Sequence, residues 1–207
     1  MTKIKICGIT NHKDAIDAVN LGADYLGFNF YKHSPRFVGK EKARNIIKKI
    51  QNDIMSVGVF VNMDMHEIKK IVKFCGIDII QLSGDESPEF AEKLRKNLNK
   101  KVIKSIGVRN KKDVNTIKKF KTNYILLDTF KKGVYGGTGK SFDLQIAKYA
   151  NAKKLFLSGG LNKSNVKKAV DYVNPYAVDV CSGIEKYYGK KDHKKMKEFI
   201  EVIKWNL

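Results

Sequence analysis

The 207 residues carry 41 lysines and arginines against 21 aspartates and glutamates, a net charge of +20, with 43% hydrophobic and 30% charged residues. That length suits one domain with a sizeable core, the mixture is that of a folded soluble chain, and no apolar run approaches the roughly 18–20 residues of a membrane span. Three cysteines (Cys7, Cys75, Cys181) are too few and too scattered for a disulfide framework or a CxxC metal site, and with no signal-peptide composition ahead of the first strand the expected compartment is cytoplasmic.

The chain opens on Lys3-Ile4-Lys5-Ile6, an alternation that reads as a short strand and stops at Gly8. Thr10 and Asn11 stand as N-caps for a helix through Asp14-Ala15-Ile16-Asp17-Ala18-Val19. The thiol of Cys7 therefore falls at the C-terminal end of the first strand, just ahead of a helix. Ala23-Asp24-Tyr25-Leu26-Gly27-Phe28 reads as a second strand, apolar enough to be buried on both faces. A loop over 29–39 holding Ser34-Pro35-Arg36 leads to a helix at 40–50, with Ala43, Ile46, Ile47 and Ile50 on one side. A third strand at 56–61, a helix at 64–74 and a fourth strand at 77–82 follow, and Pro88 suits the first position of the fourth helix.

A fifth strand at 101–106 and its helix at 112–120 precede Tyr124-Ile125-Leu126-Leu127-Asp128, a sixth strand with a carboxylate at its end. The loop at 131–140 contains Gly136, Gly137, Thr138 and Gly139 and is read as a lid that excludes water. Its spacing misses the nucleotide-binding pattern by one residue from Gly133, which argues against ATP. A helix from about 143, a strand at 154–157, Ser158-Gly159-Gly160-Leu161, a helix from 162, a strand at 177–180, Cys181-Ser182-Gly183 and a helix at about 192–205 complete the chain. Eight strand–helix units roughly 25 residues apart, strictly alternating and without a linker, predict an α/β fold: a (β/α)8 TIM barrel formed as a single domain over 1–207.

In such a barrel the strand C-termini converge on one mouth, where chemistry is done. Cys7, Arg36, Asp85 and Asp128 lie there, together with Gly159-Gly160 and Ser182-Gly183 in the last two loops. Glycines that let backbone N–H groups approach closely, a serine hydroxyl and a helix start make those loops a phosphate site. Cys7 as base and Asp128 as acid then form a pair over a phosphorylated sugar, the active base being the thiolate. Arg36 suits a bidentate grip on a substrate carboxylate, which lysine cannot copy. Cys75 reads as packing, and Cys181 lines the mouth with no assigned role. The surplus lysines fall in twos, as at Lys48-Lys49, Lys69-Lys70, Lys118-Lys119, Lys167-Lys168 and Lys194-Lys195, and read as solvated helix faces and not as a specific nucleic-acid surface. Two alternatives stand beside an acid–base enzyme built on Cys7 and Asp128: other phosphosugar isomerase or lyase chemistry on the same barrel, and a non-enzymatic nucleic-acid binder that uses the charge.

Lys5-Ile6-Cys7-Gly8-Ile9-Thr10, Gly22 to Phe28, Ser34-Pro35-Arg36, Val57 to Asn62, Gln81-Leu82-x-Gly84-Asp85-Glu86, Leu127-Asp128-Thr129, Gly136-Gly137-Thr138-Gly139, Ser158-Gly159-Gly160-Leu161 and Asp179-Val180-x-Ser182-Gly183-Ile184-Glu185 together resemble the phosphoribosylanthranilate isomerase family. The resemblance implies a tryptophan-biosynthetic Amadori rearrangement with no metal or organic cofactor, no membrane partner, and a monomer or homodimer acting on a small phosphorylated substrate. It also implies Cys7 as general base, Asp128 as general acid on the furanose oxygen, and Arg36 on the anthranilate carboxylate. Two positions depart from the family pattern: Ser83 stands where histidine is usual, and Cys181 where serine is usual.

Overall fold

The computed structural model describes residues 1–50, 53–129, 143–150 and 154–204. The expected lid residues Gly136, Gly137, Thr138 and Gly139 lie outside the described residues. Eight parallel strands close into a barrel in sequence order: β1 (Lys3–Cys7), β2 (Tyr25–Asn29), β3 (Met55–Phe60), β4 (Ile79–Leu82), β5 (Lys101–Val108), β6 (Tyr124–Thr129), β7 (Leu155–Leu157) and β8 (Ala177–Val180). Closure is made by β1 against β8, with Lys5 opposite Asp179 and Ile6 opposite Val180. Helices α1 (His12–Asn20), α2 (Lys40–Ile50), α3 (Met65–Cys75), α4 (Pro88–Leu98), α5 (Lys111–Asn115), α6 (Leu144–Tyr149), α7 (Val166–Val173) and α8 (His193–Lys204) alternate with the strands.

Strand alternation divides the interior into two cores. Ile4, Ile6, Leu26 and Phe28 point outward into the layer shared with the helices. Tyr25, Val57, Ile79, Ile103, Tyr124, Leu126, Phe156 and Ala177 point inward and fill the barrel as a separate cluster. Phe156 meets Tyr25 and Tyr124 edge-on at 5.4 Å, which packs the barrel axis. On the outside, α2 buries Ala43, Ile46, Ile47 and Ile50, the face expected from their spacing. Each such isoleucine contributes roughly 1.5–3 kcal/mol of burial. The paired lysines at 48–49, 69–70, 118–119, 167–168 and 194–195 are all exposed on helix surfaces.

Capping follows the sequence closely. Asn11, Asp64 and Ser87 cap α1, α3 and α4, and Pro88 is the first residue of α4. Thr10 does not share the α1 cap; its hydroxyl donates to the Gly189 carbonyl instead. Three departures have local causes. The helix expected at 112–120 is α5 plus a 3-10 turn at Thr116–Lys119, because the Asn110–Asp113 capping box starts it early. Helix α7 starts at Val166 and not at 162, since Asn162 Oδ1 accepts from the Ser164 N–H at 2.9 Å and holds a turn there. Between β8 and α8 the chain inserts an unforeseen antiparallel hairpin, β9 (Glu185–Tyr187) and β10 (Lys190–Lys191), turning at Gly189 with φ 78°.

Candidate active site

Cys7 ends β1, half-buried, on the inward face that Lys5 shares two residues earlier. Lys5 is fully buried, and its ammonium donates to Asp179 Oδ1 at 2.8 Å across the β1–β8 seam. Neighbouring Gly27 makes room for both groups. A Cβ there would lie 2.8 Å from Cys7 Sγ and 3.1 Å from Lys5 Nζ, so a side chain on β2 would displace one of them. Gly8, at φ 75°, does the same one step on: a Cβ would meet Arg36 Cδ at 2.9 Å and Cys181 Sγ at 3.0 Å.

A second buried ion cluster stands beside the first. Arg36 donates through Nε and Nη2 to the two oxygens of Glu185 at 2.8 and 2.7 Å. Lys191 Nζ reaches Glu185 Oε1 at 3.2 Å and the Cys181 carbonyl at 3.2 Å. The arginine expected to meet a substrate carboxylate is thus already forked onto a carboxylate of its own chain, with Tyr188 over its guanidinium at 5.0 Å. Burial opposes the Arg36 charge, but the hydrogen bonds to Glu185 outweigh it and hold the arginine protonated. Burial likewise pushes the Glu185 carboxyl up, and Arg36 and Lys191 together bring it below its ordinary value.

These charges act on the thiol. A hydrogen bond from Cys181 is the largest influence on Cys7, against the opposing cost of burial; Lys5 and Lys191 add to it and Asp179 works against it. The net result brings Cys7 down to about 7, where a thiol is half ionised at neutral pH. Cys75 contrasts with it: 3% exposed, it donates to the Lys40 carbonyl at 3.3 Å and is pushed up to about 11 by burial, as suits a packing residue.

Across the barrel, Asp128 is 9% exposed near the end of β6, on the inward face of Tyr124 and Leu126, and its Oδ1 accepts from the Thr129 N–H at 2.7 Å. The loops after β7 and β8 adjoin. Gly159 and Gly160 take φ of 95° and 62°, a left-handed pair that other residues adopt with strain. A Cβ on Gly183 would collide with the Leu161 carbonyl, so only glycine lets these two loops close together. Ser182 begins a 3-10 turn, Ser182–Ile184, so no regular helix starts directly behind either loop. The backbone of the two loops, more than a helix dipole, is what an anion would meet here.

Asp85, another expected mouth residue, sits in a structural brace. Its N–H donates to Asn62 Oδ1 at 2.7 Å, while Glu86 accepts from the Asn62 and Gly84 amides and pairs with Lys104 at 2.7 Å. Ser83 accepts from Gln81 Nε2 at 3.0 Å. Sequence reasoning missed Lys5, Asp179, Glu185 and Lys191. The usable signal was position: a strand of a closed parallel barrel has no solvent face, so a lysine two residues before the thiol must point inward with a partner.

Fold and site together define the class, a (β/α)8-barrel enzyme that does its chemistry where the parallel strands end. Its family emerges from direct comparison. The family model described as N-(5'phosphoribosyl)anthranilate (PRA) isomerase matches residues 4–202, and the chain belongs to that family. It is 46% identical over 208 residues to the N-(5'-phosphoribosyl)anthranilate isomerase of Aquifex aeolicus, covering 99% of each chain. It is 42% identical over 205 residues to that of Pelobacter propionicus, covering 99% of this chain and 96% of the relative. The solved enzyme of Thermotoga maritima superposes with a TM-score of 0.91 at 39% identity, covering 99% of this chain and 100% of that one. A phosphoribosylanthranilate isomerase solved in complex with reduced 1-(o-carboxyphenylamino)-1-deoxyribulose 5-phosphate gives a TM-score of 0.85 at 39% identity over 99% and 100% of the two chains. Monomers generated from the dimeric Thermotoga maritima enzyme have also been solved, with a TM-score of 0.88 over the same shares.

Proposed function

We propose that this chain catalyses the Amadori rearrangement of N-(5-phosphoribosyl)anthranilate to 1-(2-carboxyphenylamino)-1-deoxyribulose 5-phosphate, the isomerisation of tryptophan biosynthesis, with Cys7 and Asp128 as its acid–base pair. The observation that carries the reading is the inward-facing thiol of Cys7, brought down to about 7 in a mouth that it shares with the inward-facing Asp128 carboxyl. Asp128, protonated, gives its proton to the furanose ring oxygen; the C1′–O bond breaks and the anilino nitrogen becomes an iminium. The Cys7 thiolate then removes the C2′ proton, and the electron pair flows into the iminium to give an enolamine that tautomerises to the ketone. The proposed phosphate grip uses backbone N–H groups of Gly159, Gly160 and Gly183 with the Ser182 hydroxyl.

Arg36 would use its Nη1 edge for the anthranilate carboxylate while Glu185 keeps the other edge. The route runs on acid–base groups alone. The proposed setting is the cytoplasm, as a homodimer or monomer, and among the described residues no helix is long and apolar enough to cross a membrane.

The test is turnover of phosphoribosylanthranilate, followed by its fluorescence. Wild-type protein is expected to consume it, with Cys7→Ala and Asp128→Ala each slower by at least about 10²-fold while circular dichroism still reports a folded barrel. Near wild-type turnover in either variant removes that residue from its role, and no turnover by the wild type removes the reading. Arg36→Met should raise KM more than it lowers kcat, the reverse marking a catalytic role.

A further inference from the structure

Cys181 continues β8 immediately beyond the register pair Ile6–Val180, so it stands beside Cys7 across the barrel seam, on the same inward face. The two side chains therefore adjoin, close enough for one thiol to influence the other. Cys181 has no assigned part in the proposed chemistry. We propose that Cys181 is a positioning residue: its S–H donates to the Cys7 sulfur, holds the thiolate on Cys7 and sets the pH range in which Cys7 can act as a base. The proposal rests on the reading of Cys7 as general base.

The charges around the pair decide which sulfur keeps the proton. Lys5, on the same strand and face as Cys7, lies with the Cys7 sulfur against Gly27, and its charge favours the thiolate there. Cys181 instead faces the Glu185 carboxylate, to whose Oε1 its S–H makes a long contact at 3.9 Å; a second anion beside that oxygen is disfavoured, and in the proposed state the S–H turns from it to the Cys7 thiolate. Lys191 Nζ touches Cys181 Sγ only at 3.8 Å and is shared with Glu185 and the Cys181 carbonyl, so its charge is largely engaged. Asp179 of β8 opposes a Cys7 thiolate but is neutralised by Lys5 at 2.8 Å, and the Arg36 guanidinium faces both sulfurs while forked onto Glu185. Two adjacent thiols do not both ionise, because the first anion repels the second. Hence one proton stays on Cys181, which is pushed well up, and is available to the Cys7 thiolate.

Cys7 itself reports the answer, without substrate. Under dithiothreitol, the rate of iodoacetamide alkylation at Cys7, read by peptide mass, is followed against pH in wild type, Cys181→Ala and Cys181→Ser. Cys181→Val, which fills the space without an S–H, replaces the alanine variant should that not fold. The expected result is an inflection near the wild-type position in Cys181→Ser, whose hydroxyl still donates. In Cys181→Ala the inflection moves up by about one pH unit, a roughly tenfold loss of thiolate below neutrality. The pH profile of kcat/KM for phosphoribosylanthranilate should move by the same interval, with the alanine variant approaching wild-type activity only on the alkaline side. An unmoved alkylation inflection in the alanine or valine variant, or a serine variant that behaves like alanine, overturns the proposal. A moved alkylation inflection with an unmoved kcat/KM profile keeps the thiol pair but removes Cys7 as the base.

Discussion

Two buried lysines lie on strands of the same barrel, each paired with a carboxylate, and they face opposite sides of the sheet. Lys104 on β5 shares the outward face of Val102 and Ile106; it donates to Glu86 at 2.7 Å and to the Gly84 carbonyl at 2.6 Å, near the Phe120 ring. Lys5 on β1 faces inward, donates to Asp179 at 2.8 Å and packs with the Cys7 sulfur against Gly27. The chemistry of the two pairs is the same and the surroundings differ. The outer pair ties the loop after β4 to β5, where the Asn62 and Gly84 amides also converge on Glu86. The inner pair brings a cation to a thiol. Burying a charge is costly wherever it is done, and only on the inner face is there a reacting group for that charge to influence.

The largest expected effect comes from Lys5→Met. It leaves Asp179 buried without its cation, a loss of about 3–5 kcal/mol in denaturant unfolding. It also removes a charge that lowers the Cys7 value while leaving one that raises it. The sign is therefore fixed: less thiolate at neutral pH, with kcat/KM at pH 7 down about tenfold or more and its inflection moved upward. Lys5→Met combined with Asp179→Leu should recover most of the stability, because an apolar pair replaces an ionic one. The inflection should stay above that of wild type, since the ammonium is still missing. A double variant with the wild-type pH profile would end the electrostatic role of Lys5.

Lys104→Met sharpens the contrast from the other side. Glu86 keeps its backbone donors, so the cost is expected to be lower, about 3 kcal/mol, or roughly 6–12 °C in Tm for a chain of this size. The pH profile of kcat/KM should coincide with that of wild type. A shifted profile would mean that the two faces of the sheet are not electrostatically separate.

Most of the scaffold was legible because it follows from local rules. Asn11, Asp64 and Ser87 are good caps, Pro88 suits a first turn, and the spacing of Ala43, Ile46, Ile47 and Ile50 permits one buried face. Cys7 and Asp128 stood out because they fall where apolar strand runs stop. What escaped depends on pairing across the fold. Lys5 looked like the polar half of an alternating strand, and only closure of β1 onto β8 turns it inward to Asp179, 174 residues away. Arg36 was legible as a carboxylate binder, but Glu185 lies 149 residues further on and in a hairpin whose strands, of three and two residues, are too short for an alternating pattern to show. The helix start after β7 was misjudged because Asn162 opens a turn that competes with the helix, whereas the last helix, expected from about 192, starts at His193.

Asp14 gives the smallest effect and a third case between the two lysines. It is fully buried at the start of α1 and gathers Lys190 at 2.6 Å, the Lys191 amide at 2.9 Å and His193 Nε2 at 2.9 Å, tying the β9–β10 hairpin and α8 to the first helix. Lys190 and His193, unlike Lys5 and Lys104, are about one-third exposed and regain water when the partner is lost. Asp14→Asn should therefore cost less, about 2 kcal/mol at pH 7. Burial pushes the Asp14 carboxyl up, but Lys190, the Lys191 amide, His193 and Asn11 outweigh it and hold it below its ordinary 3.8. A carboxyl depressed in the folded state stabilises above its unfolded value and loses that contribution as the pH falls through its folded one. The stability gap between wild type and Asp14→Asn should accordingly be full at pH 6–7 and shrink below about pH 4. A gap that stays constant on acidification would show that the hairpin is held by shape and hydrogen bonding alone, with the Asp14 charge contributing nothing.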